Sequence, residues 1–344
     1  MGRVAVDAMG GDHAPREIVL GAIAAAEANP ALEQILVGVE EKIRAELPGG
    51  EPPPGITIAH AADVIEMHES PVEALRKKPD TSIVRCMKLV LEKRADAVVS
   101  AGNTGGVVAA ATFLLPRLPN CRRAGIAVPF PSRTGHCVLM DVGANLQCKP
   151  IHLVQYALMA REYARDICGI AEPRVALLSV GGEEGKGNPL VKETFAALKA
   201  VKGLNFIGNV EGQQIFSGAS DVVVCEGFVG NVILKASEGL AEAFLHLLLQ
   251  ELGESLGREN PAVKQVIGHL QARTDYAQYG GAPLMGHDGA VFISHGRSHA
   301  KAMRNAIRFA DSFVGHRVNA RITEALAGAA ADPELAAILG GGAA

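Results

Sequence analysis

Basic and amide side chains recur in this sequence inside turns that are rich in glycine. His13, Lys186 and Asn231 each lie in such a turn, and Lys235 follows Asn231 by about one helical turn. An amine or an amide can stabilise negative charge that develops during a reaction, and an imidazole can transfer a proton. These residue types predict a site that binds anions.

Two of the turns, Ser100–Gly106 and Gly181–Asn188, have the form that binds phosphate. Their glycines precede predicted helices, so free backbone N–H groups can surround an anion at a helix N-terminus. Neither turn is a P-loop, and no strand-to-helix turn carries G-x-G-x-x-G. The pattern favours inorganic phosphate or a small ester over a nucleotide, while helix capping remains the alternative for each single turn.

A repeated unit of strand, polar turn and helix must position these side chains. The predicted strands are Val4–Val6, Ala97–Val99, Cys137–Val142, Val175–Val180 and Asp221–Cys225. Strands that alternate with helices indicate an α/β fold with a mostly parallel sheet sandwiched by helices. Because ligands bind at the carboxyl ends of such strands, we expect the five turns to converge at one edge of the sheet.

The composition limits the classes of protein to which the chain can belong. Its 344 residues allow one or two domains, and its net charge of −4 argues against a nucleic-acid binder. Six cysteines without any C-x-x-C spacing indicate neither a disulfide framework nor a zinc site, although one catalytic thiol stays open. We expect a cytoplasmic protein, because no signal peptide or membrane-spanning run is evident.

A row of cations and an apolar segment remain to be explained. The cations repeat every three or four residues along one predicted helix and are Arg297, Lys301, Arg304 and Arg308. They form either a solvated face or a docking face for an acidic protein or an anionic lipid surface. The apolar segment, residues 236–275, is predicted to project as helices and includes Gly239–Leu252 and the repeat of Val263, Val266, Ile267 and Leu270. A subunit interface, an acyl-chain groove, a membrane-contacting tip and core packing all stay open for it. Residues 1–320 are predicted to form one catalytic unit of two lobes, and residues 321–344 an Ala/Gly-rich tail.

Seven separated blocks, in order, resemble the bacterial phosphate acyltransferase (PlsX) family. They are Ala8–Pro15, Ser100–Gly105, Asp141–Asn145, Gly182–Asn188, Asn205–Glu211, Asp221–Lys235 and Tyr279–Pro283. The resemblance implies a fold similar to isopropylmalate dehydrogenase and phosphotransacetylase. It also implies transfer of a fatty acyl group from the thioester of acyl carrier protein, which is small and acidic, to inorganic phosphate. The acyl phosphate product would enter phospholipid synthesis through a glycerol-3-phosphate acyltransferase, a further expected partner. A homodimer with peripheral membrane contact, and no cofactor or metal, are also expected.

The resemblance assigns roles to residues of this sequence. Lys186 and Asn231 are expected to stabilise charge, with Lys235 nearby, and His13 to protonate the departing thiol. The phosphate- and substrate-binding set is expected to be Asp7, Gly10, Gly11, Asn103, Thr104, Asp141, Asn145 and Asn188. The basic row is the expected docking face for the carrier. No G-x-S-x-G elbow is present, which fits a reaction in which phosphate itself attacks.

Three other functions were weighed against this one. They are a short-chain phosphotransacetylase that uses coenzyme A, a nicotinamide-dependent decarboxylating dehydrogenase and a non-catalytic scaffold for lipid synthesis. The apolar segment argues against the first, the absence of a dinucleotide turn against the second, and the many polar turns against the third.

Overall fold

The computed structural model describes residues 2–257, 260–261, 263–266, 268 and 280–340, and one sheet of eleven strands runs through them. In chain order the strands are β1 Arg3–Asp7, β2 Glu33–Gly38, β3 Ile56–His60, β4 Ala97–Ser100, β5 Gly125–Ser132, β6 Gly135–Met140, β7 Val175–Leu178, β8 Phe206–Val210, β9 Val222–Val224, β10 Ala282–Met285 and β11 Ala290–Ile293. Across the sheet their order is β3-β2-β1-β4-β11-β10-β5-β6-β9-β7-β8.

Helices cover both faces of this sheet. In the described residues they are α1 Arg16–Ala28, α2 Glu40–Glu46, α3 Pro71–Lys77, α4 Ser82–Leu91, α5 Thr104–Leu114, α6 Pro150–Asp166, α7 Pro189–Ala200, α8 Gly227–Leu256, α9 Ala300–Gly315, α10 Val318–Ala330 and α11 Pro333–Gly340. Side chains alternate between two cores along each strand, so that Val4 and Val6 pack on one face and Ala5 on the other. The predicted α/β sandwich is confirmed.

The two halves of the sheet run in opposite directions. β1 to β4 and β11 are parallel, and β6 to β9 are parallel, but three antiparallel pairings through β10 and β5 lie between the halves. An odd number of reversals makes the two parallel halves antiparallel to each other. The prediction that all five turns lie at one edge is therefore wrong, and they form two groups.

One long helix connects these two groups of turns. α8 starts after β9, in the second group, and its first turns contact β6. The carboxylate of Glu226 caps its N-terminus by accepting hydrogen bonds from the N–H groups of Phe228 (2.9 Å) and Val229 (3.1 Å). From there α8 extends across the face of β5, so that its length carries side chains from one group of turns to the other.

The C-terminal part of the chain, from residue 321 to residue 340, differs from the sequence-based prediction. Residues 321–340, predicted as a tail, form most of α10 and α11, and Ile322, Leu326 and Leu335 are buried in the core. Alanine-rich sequence is compatible with a packed helix because small side chains allow close approach. The division into two lobes stays a prediction.

The projecting segment is described only in part. α8 continues to Leu256, whereas Ile267 and Leu270 lie outside the described residues. Val263 is buried, which does not fit a side chain offered to a partner or a membrane. No helix in the part of the chain described here is long and apolar enough to cross a membrane.

Gly230 determines how closely α8 approaches the sheet. A Cβ atom at this position would lie 1.9 Å from the carbonyl oxygen of Asp141 and 3.0 Å from the sulfur of Cys225. Neither neighbour can move without displacing the end of β6 or β9. Gly239, nine residues later on the same helix, has open space around it.

We expect Gly230→Ala to lower the free energy of unfolding by about 3 kcal/mol, because the methyl group forces α8 away from the sheet. The matched variant Gly239→Ala should raise it by up to about 1 kcal/mol through helix propensity alone. Urea unfolding measures both. Equal effects of the two variants would contradict the close packing of α8.

Candidate active site

A cavity of about 270 Å³ lies between α8 and the middle strands of the sheet. Its floor is apolar and comes mainly from Ile126, Val128 and Phe130 of β5, whose alternate side chains point to the same face. Leu234 of α8 and Phe216 close its sides, and the Phe216 ring meets Phe130 edge-on at 5.8 Å. The cavity therefore offers an apolar compartment with few polar contacts along its floor.

Polar groups from three helix starts line the rim of the same cavity. They are Thr104 at the start of α5, Asn231 and Lys235 in the first turns of α8, and Ser294, His295 and Ser298 before α9. Helix N-termini present N–H groups and a positive dipole to the space in front of them. This part of the cavity is suited to an anion next to an apolar chain.

Asn231 and Lys235 lie on the predicted face of α8. Asn231 lies near the turn after β6, because a Cβ atom at Gly143 would be 3.5 Å from its side chain. The Lys235 ammonium pairs with Glu238 at 2.8 Å, both side chains being partly exposed. Glu238 therefore offsets some of the unfavourable interaction between Lys235 and the helix dipole.

His295 and Ser298 are two of the five polar residues of the cavity that the sequence did not assign to the site; the others are Ser237, Glu238 and Ser294. Burial lowers the pKa of the His295 imidazole, and the charge of Lys235 lowers it further, so the ring is neutral near pH 7. The Ser298 hydroxyl is buried and has no hydrogen-bond partner among the described residues. A buried hydroxyl that faces a cavity without a partner is available to a bound ligand.

The first turn, which contains Asp7, Gly10 and Gly11, supports the cavity without lining it. The Asp7 carboxylate accepts hydrogen bonds from the Ser100 hydroxyl (2.7 Å) and the Met9 N–H (3.2 Å), and burial raises its pKa. A Cβ atom at Gly10 would lie 2.7 Å from the backbone nitrogen of Gly102. Glycine is required here because two turns meet backbone to backbone.

Asp141 has a similar supporting position in the other group of turns. It is fully buried and accepts five hydrogen bonds, four of them from backbone N–H groups between Ile126 and Asn145. Burial raises the pKa of its carboxyl group and these donors oppose the rise. The Asn145 side chain also donates to the Ala124 carbonyl (2.6 Å) and to the Tyr156 hydroxyl (2.8 Å). Both residues hold the turn in place and do not border the cavity.

Four further predicted site residues lie away from the cavity or have a capping role. His13 is exposed and stacks on His299 at 4.4 Å. Asn103 and Asn188 accept the N–H groups of Gly106 (3.1 Å) and Val191 (2.9 Å) and so cap α5 and α7. Lys186 is exposed in the turn after β7, which adjoins β9, and does not line the cavity.

The row of cations is not the single helical face that its spacing predicted. Arg297 precedes α9, which begins at Ala300. Arg304 is half-buried, and α1 packs so closely on α9 that a Cβ atom at Gly21 would lie 3.1 Å from its backbone nitrogen. Lys301 and Arg308 remain exposed on α9. The spacing agrees with a helix for Lys301, Arg304 and Arg308 but not for Arg297, and a neighbouring helix covers part of the face.

The six thiols are all protonated at neutral pH, because burial raises their pKa values. The pKa rises to about 11 for Cys121, Cys137 and Cys148 and to about 12 for Cys168. Cys86 and Cys225 are shifted in the same direction. A thiolate is the reactive form, so the open alternative of a catalytic thiol loses its support.

We expect iodoacetamide at pH 7 to leave the folded protein's turnover unchanged and its thiols unmodified on the timescale of minutes. The same reagent in urea should modify all six, counted by mass spectrometry. Loss of turnover in step with modification of one thiol in the folded protein would restore the catalytic-thiol alternative.

A sixth copy of the repeated unit carried the signal for the missed residues. β11 is a short apolar strand, and the following residues include Ser294, His295, Gly296 and Ser298 before α9 begins. His295 and His299 have an i, i+4 spacing, but no glutamate follows His295, so the metal-binding H-E-x-x-H pattern is absent and gives His295 no role. The strand-to-helix pattern around it would have placed it beside the other turns.

Comparison with known proteins agrees with this fold. A family model described as fatty acid synthesis protein matches residues 2–321. A phosphate acyltransferase from Desulforamulus reducens is 46% identical over 94% of this chain and 97% of its own. Another from Pelotomaculum thermopropionicum is 48% identical over 92% of each chain. The crystal structure of a phosphotransacetylase from Streptococcus pyogenes matches with a TM-score of 0.57 at 18% identity, covering 91% of this chain and 94% of that one, which confirms the predicted fold.

Proposed function

This chain belongs to the fatty acid synthesis protein family and is an acyltransferase that uses phosphate; from that premise we propose that its acyl donor is the thioester of acyl carrier protein. The observation that carries the proposal is the cavity, which joins an apolar floor to a rim of anion-binding groups. A fatty acyl chain fits the floor, and phosphate and the thioester carbonyl fit the rim. A short-chain reaction with coenzyme A would have no use for the apolar floor.

The chemistry requires stabilisation of charge and transfer of one proton. A phosphate oxygen attacks the thioester carbon, a tetrahedral oxyanion forms, and the C–S bond breaks to give acyl phosphate and a thiol. In this proposal Asn231 and Lys235, which line the cavity, stabilise the oxyanion and phosphate, and the unpartnered Ser298 hydroxyl is a further donor. The hydrogen phosphate proton ends on the thiol sulfur.

We assign that proton transfer to His295 in place of His13, because His295 lines the cavity. Its neutral imidazole can accept the proton from hydrogen phosphate and pass it to the departing sulfur, and its lowered pKa provides the neutral form. His13 has no position at the cavity. A role for Lys186 stays part of the proposal, because the turn that carries it adjoins the strand leading into α8.

We expect Asn231→Ala to lower kcat for acyl phosphate formation about 10²-fold with little change in the KM of either substrate, since the lost contact belongs to the transition state. Lys186→Ala measures whether its amine reaches the site. Formation of free thiol and acyl phosphate, with and without phosphate, is the assay. Full turnover of Asn231→Ala with an unchanged fold would remove Asn231 from the mechanism, and the same result for Lys186→Ala would leave charge stabilisation to Lys235.

The exposed side of α8 supports the proposed homodimer and peripheral membrane contact. Leu240, Phe244 and Leu247 are 72%, 64% and 58% exposed and repeat at i, i+4 and i+7. Such a stripe on a helix favours contact with another helix or with a lipid surface. Association with a cytoplasmic membrane surface would bring the acyl phosphate to a glycerol-3-phosphate acyltransferase.

We expect Phe244→Asp/Leu247→Asp to abolish co-sedimentation with anionic liposomes or to convert a dimer into a monomer in analytical ultracentrifugation. Either contact would bury the two new carboxylates away from water, which is unfavourable. Glu242→Asp, a conservative change at an exposed position of the same helix, serves as control. Unchanged liposome binding and oligomeric state in the double variant would contradict a role for this stripe in both contacts.

A further inference from the structure

A cluster of four exposed cations lies beside the turn after β6 and includes no residue of the row on α9. Arg117, Arg122 and Arg123 come from the loop between α5 and β5, and Lys149 immediately precedes α6. No ion pair among the described residues includes any of them. We call this group the loop cluster.

Hydrogen bonds hold the loop against the start of α6 and so keep the cations together. The Gln155 side chain accepts the Arg122 N–H (2.8 Å) and donates to the Asn120 carbonyl (2.6 Å). The Arg117 guanidinium donates to the Arg122 carbonyl (2.6 Å). His152 accepts the Lys149 N–H (3.1 Å), and in addition to its burial all four cations of the loop cluster lower the pKa of its imidazole, to about 4. The charges are therefore concentrated on a fixed surface. Two carboxylates lie near it without an ion pair to it: Asp288, whose N–H donates to the Pro116 carbonyl, pairs with Lys93, and Glu226 caps α8.

This surface is continuous with the Asn231 end of the cavity. The Asn145 side chain donates to the Ala124 carbonyl, next to Arg123, and the Asn145 carbonyl accepts the Gly227 N–H (2.9 Å) at the start of α8. Leu146, which follows Asn145, and Phe228, which follows Gly227, are 68% and 60% exposed. Apolar side chains bordered by unpaired cations are typical of a docking surface for an acidic protein.

We propose that the loop cluster, with Leu146 and Phe228, is the surface on which a small acidic protein docks to deliver the acyl thioester to the Asn231 end of the cavity. The proposal rests on the proposed function for its partner. It also replaces α9 as the main docking face, because the loop cluster offers four exposed cations, whereas Arg304 of the α9 row is half-buried.

The docked partner is held by complementary charges and by a short apolar contact. Charges near the rim of an interface raise the association rate and make it sensitive to salt. Reversing two of them replaces attraction with repulsion, and if each change costs roughly 0.7 kcal/mol the combined effect is about tenfold in affinity.

The test compares two double variants that change the net charge equally. Arg122→Glu/Arg123→Glu alters the loop cluster, and Lys42→Glu/Lys192→Glu alters two exposed lysines on α2 and α7 without an ion pair among the described residues. Each is assayed with acyl carrier protein thioester and with the same acyl chain on free pantetheine, which lacks the acidic protein. Titration with unacylated carrier protein measures docking without turnover, and thermal unfolding verifies the fold.

We expect the loop-cluster variant to raise the KM for the carrier thioester, and the Kd for the unacylated carrier, about tenfold relative to the control. The KM values for phosphate and for acyl-pantetheine should stay unchanged, and the salt dependence of the carrier KM should weaken. Equal carrier KM and Kd values in the two variants would overturn the proposal. If the loop-cluster variant no longer co-sedimented with anionic liposomes while its carrier binding stayed unchanged, the proposal would also be overturned, in favour of a lipid surface as the occupant.

Failure of the proposed function has a different signature. Wild-type protein would then form no acyl phosphate from either donor, whatever the carrier titration shows. Failure of the docking proposal alone leaves wild-type turnover and the acyl-pantetheine reaction intact.

Discussion

The buried carboxylate of Asp141 is the interaction on which the geometry of the site depends. Hydrogen bonds to its two oxygens join the Ile126 N–H of β5 to the turn after β6. Its own backbone carbonyl lies where α8 comes closest to the sheet. A carboxylate taken out of water is stable only with such donors around it. Because those donors are backbone groups, the chain cannot satisfy the charge without adopting this turn. The position of Asn231 follows from it.

The opposed halves of the sheet explain why a long helix is needed. In a uniformly parallel sheet, short turns at one edge would be enough to build a site. Here the antiparallel strands β5 and β10 separate two groups of turns, and α8 crosses them with Asn231 near one group and Lys235 near His295 of the other. The same crossing leaves the apolar face of β5 under the helix. Polar groups at helix starts and an apolar compartment therefore adjoin as a consequence of one topology.

Sequence patterns predicted local structure well where the signal lay within one element. Strands followed by glycine-rich turns were recognised, and helices from Pro150 and Pro189 begin where proline is favoured. Thr104, Asn231 and Lys235, which the sequence predicted for the site, line one cavity, and their roles stay a prediction. The errors came from contacts between distant elements: α1 covers part of the cationic face of α9, and the Ala-rich end packs as helices. No periodicity within one segment reports which other segment will lie against it.

The sequence by itself determined the residue types, the strand-to-helix units and the family, because these depend on local spacing and on motifs. Only the tertiary structure decided which polar side chains share a cavity. His13 and His295 show the difference, since both follow a strand in a glycine-containing turn, yet only His295 faces the apolar floor of β5. The physical reason is that strand order and direction place the two turns differently relative to α8, and order and direction arise from pairing between residues far apart in the chain.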